Sequence, residues 1–454
     1  MGVWNENDEE RETVTIADKI ADIRSTFDDA QNRAINAILD DCLVGDDLVF
    51  PIINGPPGTG KTTVGAVAVA EYLQQTPEAQ VLYMCYTHYA ASQAKETLEK
   101  LGVPTQKVIK LTHETHKKDW DKGIVGCRSD LSDLSDDEVR RLKQCPVLLC
   151  TLHGSKRALE ARGTKCKVIV DEFSQVDPAM FFSTISKLRE HNPSGYTLLG
   201  DPKQLPVVTT QPLLSSNIKS YLDGRKPTPS HELKVQHRMH KDICAAVNSL
   251  RQDLGAYPIV SSGEVKNRDL LKSGYRWDKN AVDFKLHDIL DPSYPFVIVN
   301  TDVLGGSEQR VFRGSVKNVA EAEFVARLSR MFYASFKKAD GEQLRPVILS
   351  PYAAQVNEIF GKLPSVLQDR CLTVYRAQGR EYPCVIVSFV RKNPQKAIGF
   401  LDDLILKAQT YVACSRAQGK LVVLLSFGTF LGGGHRAFEY LCQTREAHMV
   451  EDIG

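Results

Sequence analysis

The chain has 454 residues, of which 42% are hydrophobic and 25% charged, and its formal net charge is +1. This length allows two or three domains, and the composition is that of a globular protein, which excludes collagen, coiled-coil and wholly disordered structures. Because the charges balance, any contact with nucleic acid must come from a local basic groove and not from the protein as a whole.

Nothing in the sequence indicates secretion or membrane insertion. The first residues, Met1 to Glu12, are acidic and polar, unlike a leader peptide, and no apolar run approaches the roughly 20 residues of a membrane span. The eleven cysteines lie singly, without a Cys-x-x-Cys pair, which is typical of reduced thiols in a cytoplasmic or nuclear protein. His113 and His116 have no second ligand pair nearby, so solvated histidines are favoured over a metal site.

Helical patterns begin at Ile16 and again at Phe27, and the second contains Gln31. A glutamine one element upstream of a phosphate-binding loop can bind an adenine edge, because its amide both donates and accepts hydrogen bonds. Taken alone, the position is more typical of a solvated helix residue.

A glycine-rich loop then joins an apolar strand pattern at 48–53 to a helical pattern at 62–75. Its sequence is Asn54-Gly-Pro-Pro-Gly-Thr-Gly-Lys-Thr62, which has the P-loop spacing. The glycines let backbone N–H groups face phosphate oxygens at a helix N-terminus. We expect Lys61 to reach the β- and γ-phosphates and the Thr62 hydroxyl to hold Mg²⁺. A plain Gly/Pro turn would not explain the Lys-Thr placement.

Beyond a strand pattern at 81–86, the segment Thr87 to Ser92 turns into another helix. Its small and hydroxyl residues could hold a phosphodiester backbone or could simply cap the helix. The irregular, charged stretch Leu101 to Cys145 suggests a surface insertion or small subdomain. Strand patterns return at 147–151, which ends in Thr151, and at 167–170.

The strand at 167–170 delivers Asp171 and Glu172 at its carboxyl end. Downstream of a P-loop, such a pair indicates a Mg²⁺-dependent nucleotide hydrolase, in which Asp171 holds the metal and Glu172 polarises the attacking water. The next strand, at 196–199, leads into Gly200-Asp-Pro-Lys-Gln-Leu-Pro206. Gln204 in this loop could contact the γ-phosphate, although the composition alone indicates only a turn.

A Ser-, Pro- and Gly-rich stretch predicts a linker at 212–230. Strands and helices alternate after it, including strands at 296–300 and 347–350 and helices at 319–336, 354–363 and 403–417. This alternation predicts a second parallel-sheet α/β domain without a P-loop. The predicted organisation is an N-terminal extension at 1–26, a first domain at 27–211 with an insertion at about 101–145, and a second domain at 231–454. Arg238 and Arg416 are candidate arginine fingers from the second domain.

Together these segments resemble the ordered motif set of superfamily 1 helicases, in the up-frameshift branch that includes the nonsense-mediated decay helicase. The resemblance covers about 27–427 and keeps the family's motif order and spacing. The motifs are the Gln31 segment, the P-loop, Asp171-Glu172 with Ser174-Gln175, Gly200 to Pro206, Val235-Gln-His-Arg-Met-His240, Ser350-Pro-Tyr352, Gln378-Gly-Arg-Glu381 and Val412-Ala-Cys-Ser-Arg-Ala417.

The resemblance implies an α/β fold of two RecA-like P-loop NTPase-type domains with parallel sheets, with ATP and Mg²⁺ in the cleft between them. It places Gln31 at the adenine and Glu381 near the ribose. ATP would contact Gln31, Gly55, Pro56, Pro57, Gly58, Thr59, Gly60, Lys61, Thr62, Thr63, His237, Gly379 and Glu381. Catalysis would use Lys61, Asp171, Glu172, Gln204, Arg238 and Arg416, with Thr62 and Asp171 at the metal. A nucleic-acid strand, moved 5′ to 3′, would be held by Thr87, Thr151, Ser350 and Thr373.

The sequence departs from the family at several points. His237 replaces the usual Tyr before the first finger arginine, which predicts weaker base selectivity. Tyr375-Arg376-Ala377 stands where Asp-Ala or Asp-Ser is common, which puts the nucleic-acid grip of that loop in doubt. Only 26 residues precede Phe27, so we expect the inserted β-barrel and the cysteine-histidine-rich module to be absent and processivity to be low.

We therefore expect a monomeric ATP hydrolase that acts as a helicase or translocase on single-stranded RNA or DNA, with regulatory proteins as candidate partners and no membrane association. A second hypothesis is a nucleic-acid-stimulated ATPase or binding scaffold that remodels protein–nucleic acid complexes without separating strands. The sequence does not tell whether the substrate is RNA or DNA, because that distinction depends on contacts to the 2′-hydroxyl.

Overall fold

A computed structural model describes residues 15–40, 51–128, 130–161, 166–189, 195–205, 218–223, 230–311, 314–403 and 406–453, with the main chain alone at 43–44, 47–48 and 188–189. Residues 1–14 of the predicted N-terminal extension and 212–217 and 224–229 of the predicted linker lie outside the described residues.

The described residues form helices and strands that alternate along most of the chain. The helices are α1 (Ile16–Thr26), α2 (Asp29–Leu39), α3 (Lys61–Gln75), α4 (His88–Lys100), α5 (Asp136–Gln144), α6 (Ser155–Glu160), α7 (Pro178–Arg189), α8 (Ile218–Asp223), α9 (Lys241–Asp253), α10 (His287–Leu290), α11 (Val319–Ser335), α12 (Ala353–Phe360), α13 (Ser365–Gln368), α14 (Ala408–Cys414), α15 (Phe427–Phe430) and α16 (Arg436–Cys442). The strands are β1 (Leu43–Val44), β2 (Asp47–Leu48), β3 (Ile52–Asn54), β4 (Gln80–Cys85), β5 (Val108–Thr112), β6 (Lys118–Asp119), β7 (Ile124–Gly126), β8 (Val147–Thr151), β9 (Cys166–Asp171), β10 (Gly195–Gly200), β11 (Ser230–Glu232), β12 (Val235–Gln236), β13 (Val260–Ser261), β14 (Tyr275–Trp277), β15 (Phe296–Asn300), β16 (Gln309–Arg310), β17 (Val316–Lys317), β18 (Phe336–Lys338), β19 (Val347–Ser350), β20 (Cys371–Thr373), β21 (Tyr382–Ser388), β22 (Ala417–Leu425) and β23 (His448–Val450).

The first sheet has the strand order β11-β3-β10-β9-β4-β8-β5-β7-β6 and is parallel except for the pair β6 and β7. Its central strands are apolar and buried on both faces, as expected for a parallel sheet covered by helices. The register places Asp171 opposite Cys85 on one side and Leu199 on the other, while Gly200 pairs with Asn54. The carboxyl ends of β3, β4, β9 and β10 therefore meet at one edge.

The second sheet has the order β20-β19-β21-β22-β15-β23 and is parallel throughout. Tyr382 of β21 pairs with Ala417 of β22, so Glu381 and Arg416, each one residue before its strand, are brought side by side. Two hydrophobic clusters cover the faces of this sheet, and two more cover the first. The prediction of two parallel-sheet, RecA-like α/β units is confirmed.

Several predicted elements need correction. The stretch 101–145 is not a separate subdomain, because β5, β6 and β7 extend the first sheet. The predicted helix at 403–417 is shorter, as α14 spans Ala408–Cys414 and the chain enters β22 at Ala417. The predicted strand at 48–53 is displaced to Ile52–Asn54.

The predicted domain boundary stays a prediction. The strand Ser230–Glu232, at the end of the predicted linker, pairs with β3 and so belongs to the first sheet. In the part of the chain that the structure describes, no helix combines the length and apolarity that a membrane crossing would require.

Candidate nucleotide site and nucleic-acid face

The phosphate loop lies between β3 and α3, at the carboxyl edge of the first sheet. Gly60 caps α3 in the left-handed region, with φ of 78°, so the backbone curls and directs N–H groups into the loop. The Lys61 ammonium donates to the Gly55 carbonyl across this curl. Burial lowers the pKa of Lys61, and this effect outweighs the charges of Asp201, Asp171 and Glu172, which raise it. Lys61 is therefore a desolvated cation with carboxylates close by.

Asp171 ends β9 directly beside the phosphate loop. The Thr62 hydroxyl donates to its Oδ2 at 3.2 Å, and the Tyr83 hydroxyl donates to the same oxygen at 3.0 Å. Burial raises the pKa of Asp171, while Lys61 and these hydrogen bonds lower it. The hydroxyl of Thr62 and the carboxylate of Asp171 together are hard oxygen ligands, which fit Mg²⁺.

Glu172 follows in an unusual backbone conformation. Its φ of 60° is left-handed, which costs energy for a residue other than glycine and is a feature often found at active sites. Gln175 Nε2 donates to Glu172 Oε2 at 3.1 Å and fixes the carboxylate. Burial and the nearby Asp171 charge raise the pKa of Glu172 to about 7, which suits a group that takes a proton from water.

Arg238 approaches the phosphate loop from the segment between β12 and α9. Its Nε donates to Glu381 Oε2 at 2.6 Å and its Nη1 to the Ser415 carbonyl at 3.1 Å. Gln418 donates to the other oxygen of Glu381 at 2.9 Å, so this carboxylate is held on both sides. Glu381, predicted near the ribose, thus orients Arg238 in this structure.

Arg416 is 1% exposed and is held by its own unit. It donates to the carbonyls of Val412 and Arg380 at 3.0 and 3.3 Å, and to the Ser415 hydroxyl at 2.9 Å. Burial and the neighbouring Arg238 charge lower the pKa of Arg416 to about 9. The two guanidinium groups therefore lie close to each other, and the charges of Glu172 and Glu381 offset part of their repulsion.

One cavity of about 300 Å³ brings the predicted residues of both units together. It is lined by Pro57, Gly58, Gly60, Lys61, Thr62, Thr63, Ala90, Gln93, Thr97, Asp171, Glu172, Gln204, His237, Arg238, Gly379, Glu381 and Arg416. Gly55, Pro56 and Thr59 belong to the same loop but lie outside this lining. The cavity thus combines a phosphate loop, three carboxylates and two arginines.

Two glycines allow the units to approach closely here. A Cβ on Gly58, whose φ is +80°, would lie 2.7 Å from Cβ of Arg238. A Cβ on Gly379, whose φ is +77°, would lie 3.3 Å from Glu172 Oε1. Both positions need a residue that tolerates positive φ and has no side chain in the cleft.

Gln31 is 3% exposed and lies behind the phosphate loop, outside the cavity lining. Its Oε1 accepts from the Asp28 N–H at 3.0 Å, and its Nε2 donates to the Thr59 carbonyl at 3.3 Å. One N–H and one lone pair are left for an adenine. His237 does line the cavity, and its buried Nε2 has no hydrogen-bond partner among the described residues.

The four residues predicted to hold a strand differ in exposure. Thr87 caps α4, accepting from the Ala90 N–H at 3.1 Å, and both it and Thr373 are partly exposed. Thr151 is nearly buried at 7% exposure. Ser350 is fully buried, and its hydroxyl accepts from the Tyr352 N–H at 3.3 Å, so the structure does not bring it to the surface.

Sequence reasoning missed two pairs of aromatic rings at this edge of the first sheet. Tyr86 follows β4 and packs edge-on against His153, with ring centroids 6.0 Å apart. His88, at the start of α4, lies 5.4 Å from His113, which follows β5. An aromatic residue one or two positions after each strand was a signal that the sequence contained. Such rings offer stacking surfaces for bases.

Comparison with known proteins adds two family matches. Two family models, both described as AAA domain, match consecutive parts of the chain, residues 31–210 and 211–426.

Curated relatives cover most of this chain. The DNA replication ATP-dependent helicase/nuclease DNA2 of Mus musculus is 28% identical over 430 residues, 90% of this chain and 38% of that protein. A Regulator of nonsense transcripts 1 homolog of Neurospora crassa is 26% identical over 424 residues, 82% of this chain and 35% of the relative. The chain thus spans little more than a third of the length of either protein.

Solved structures with some likeness include an Arterivirus nonstructural protein 10 (helicase) in complex with DNA, with 15% identity and a TM-score of 0.43 over 88% of this chain and 64% of that one. Another is the DUF1998 helicase MrfA bound to DNA and AMPPNP, with 10% identity and a TM-score of 0.45 over 95% of this chain and 53% of that one.

Proposed function

We propose that this chain, which belongs to the superfamily 1 helicases, hydrolyses ATP in the cleft between its two sheets and uses the resulting motion to move along single-stranded nucleic acid. The observation that carries this proposal is the shared cavity. The first unit supplies Lys61 and Glu172 to it, and the second supplies Arg238 and Arg416. A site divided in this way couples nucleotide occupancy to the relative position of the two units.

Hydrolysis would proceed by positioning and charge stabilisation. Lys61 and the backbone N–H groups of the loop bind the phosphates, and Gln204 contacts the γ-phosphate. Glu172, held by Gln175, accepts a proton from the attacking water. Arg238 and Arg416 stabilise the charge that develops on the transferred phosphoryl group.

Thr62 and Asp171, whose oxygens lie 3.2 Å apart, would hold Mg²⁺. When bound, the metal would neutralise part of the negative charge of the phosphates.

The nucleic-acid strand would cross the carboxyl edge of both sheets. The Tyr86 and His153 rings and the His88 and His113 rings lie on this edge in the first unit, near Thr87 and Thr151. Their stacking tolerates any base, which suits a motor that must pass every sequence. The family resemblance supports movement 5′ to 3′, on RNA or DNA.

A second candidate is an ATPase that remodels protein–nucleic acid complexes without strand separation. The burial of Ser350 favours it, because one of the four expected backbone contacts is withdrawn from the surface.

For either function we infer that the ligands are ATP and Mg²⁺ and that the protein is a monomer of two units divided near 212–230. We also infer regulatory protein partners and a cytoplasmic or nuclear location.

The test is ATP turnover with and without single-stranded RNA and single-stranded DNA. We expect at least one polymer to raise the rate, and an unchanged rate with both polymers would refute the translocase proposal.

Lys61→Ala should abolish turnover, because the loop loses its phosphate-binding charge. The matched control is Lys100→Ala, an exposed lysine at the end of α4, which should hydrolyse ATP at the wild-type rate. Strand-displacement assays on tailed duplexes then separate unwinding from translocation alone.

A further inference from the structure

A buried polar cluster joins the two units beside the nucleotide cavity. Tyr411 of α14 donates its hydroxyl hydrogen to Asp201 Oδ2 at 2.7 Å. Arg251 of α9 donates to the Tyr411 hydroxyl oxygen at 2.8 Å, and its Nη1 lies 3.7 Å from the same Asp201 oxygen. All three side chains are at most 3% exposed. We refer to Asp201, Tyr411 and Arg251 as the interunit link.

On the first unit, the link is attached to the loop that carries Gln204. Asp201 follows β10 directly and accepts from the Lys203 N–H at 3.0 Å, which makes the loop turn tightly. Gln204 Nε2 lies 3.5 Å from Asp201 Oδ2, the oxygen that Tyr411 also approaches. Asp201 also contributes charge at Lys61. The carboxylate is thus next to both groups that would meet the γ-phosphate.

On the second unit, the link is attached to the helix that leads to Arg416. Tyr411 lies on α14, and Arg416 follows that helix and donates to the Val412 carbonyl within it. Any shift of Tyr411 relative to Asp201 therefore moves the base of Arg416 relative to the phosphate loop. Burial raises the pKa of Tyr411 well above its usual value, so the hydroxyl stays a donor.

Arg251 is connected to a second point on the first unit through Tyr257. Its Nε donates to the Tyr257 carbonyl at 2.9 Å, and its guanidinium lies over the Tyr257 ring at 4.9 Å. The Tyr257 hydroxyl donates to the Asn54 carbonyl at 3.2 Å, at the last residue of β3 before the phosphate loop. Through Asp201 and Tyr257, the link is therefore connected to the carboxyl ends of the neighbouring strands β10 and β3.

We propose that the interunit link sets the position of Arg416 according to whether the γ-phosphate site is filled. Tyr411 and Arg251 act as positioning residues and do not touch the nucleotide. In this structure, Gln204 and Tyr411 both contact Asp201 Oδ2. When Gln204 turns to the γ-phosphate, that oxygen is left to Tyr411 and Arg251, and α14 is drawn toward the first unit. The inference rests on the proposed ATPase function of the cavity.

The test uses Tyr411→Phe in the full chain, which removes one oxygen and keeps the ring. We expect kcat for nucleic-acid-stimulated hydrolysis to fall about ten- to a hundredfold, the equivalent of one lost charge-assisted buried hydrogen bond, while KM for ATP changes less than threefold. The matched control is Tyr382→Phe. The Tyr382 hydroxyl is buried and has no hydrogen-bond partner among the described residues, so this variant should keep the wild-type kcat.

A double-mutant cycle tests whether the residues act together. Asp201→Asn should lower kcat by a smaller factor in Tyr411→Phe than in the wild type, because the bond to Tyr411 is already gone and only the effects of Asp201 on Gln204 and Lys61 are left. Fully additive losses would overturn the link, and so would a wild-type kcat in Tyr411→Phe.

Amide hydrogen exchange tests the interunit link independently of ATP hydrolysis. A non-hydrolysable ATP analogue should slow amide exchange across 408–414 in the wild type and not in Tyr411→Phe. If the wild type hydrolysed no ATP, the proposed function would fail, while the exchange data would still decide on the link. Equal slowing in both proteins would overturn it.

Discussion

Glu321, near the start of α11, makes the stability of the second unit depend on pH. It is 1% exposed, and its Oε1 accepts from the Ser388 hydroxyl at 2.6 Å and the Val390 N–H at 3.1 Å. Oε2 is buried and has no hydrogen-bond partner among the described residues. Burial raises the pKa of Glu321 from 4.5 to about 7, since it outweighs the two hydrogen bonds and the charge of Lys392.

The sign of the effect follows from proton binding. Between pH 4.5 and about 7, the folded state keeps a proton that the unfolded chain releases, so the free energy of unfolding falls as pH rises. A difference of about 2.5 pKa units, at 1.36 kcal/mol each, amounts to about 3 kcal/mol lost between pH 4 and 8. Glu321→Gln resembles the protonated side chain at every pH. We expect the variant to match the wild type near pH 4.5 and to exceed it by up to about 3 kcal/mol at pH 8.

The assay is urea unfolding between pH 4.5 and 8, followed through Trp277 fluorescence in a Trp4→Phe, Trp120→Phe background so that the signal reports the second unit. Lys420, whose pKa burial lowers to about 7, adds a pH dependence of the opposite sign above pH 7. It is common to both proteins and cancels in the difference. A difference between variant and wild type that stays constant with pH would refute the reasoning.

Three further predictions concern single residues. Arg416→Ala should lower ATP turnover by a factor of about 10³ to 10⁵, while nucleotide affinity, measured by fluorescent-nucleotide binding, changes little. The control is Arg276→Ala at an exposed position. A wild-type turnover rate in Arg416→Ala would exclude Arg416 from catalysis. Glu172→Gln should lower turnover about 10²- to 10⁴-fold while ATP still binds, and equal rates would exclude Glu172 as the base. Gly126→Ala should destabilise the first unit by about 1–3 kcal/mol in urea unfolding, because its Cβ would lie 1.8 Å from the Glu114 carbonyl oxygen. Gly263→Ala, with open space around it, should unfold like the wild type, and equal stability of both variants would contradict this packing argument.

The alternation of strands and helices and the chemistry at the strand ends follow from local patterns in the sequence. The phosphate loop and the Asp171-Glu172 pair were predictable because a strand, a turn and a helix start are encoded by residues that are neighbours in the chain. The predicted strands Phe296–Asn300 and Val347–Ser350 have the same bounds in the structure, since continuous apolar runs suit a sheet covered on both faces.

Which of these groups come into contact depends on the tertiary structure. It extended the first sheet through β5, β6 and β7, used the Gln31 amide to hold the phosphate loop, and buried Ser350. It also set Tyr411 on Asp201, although the two are 210 residues apart. No local pattern marks either residue as a partner, because a buried donor is matched to its acceptor by the packing of two units and not by spacing along the chain.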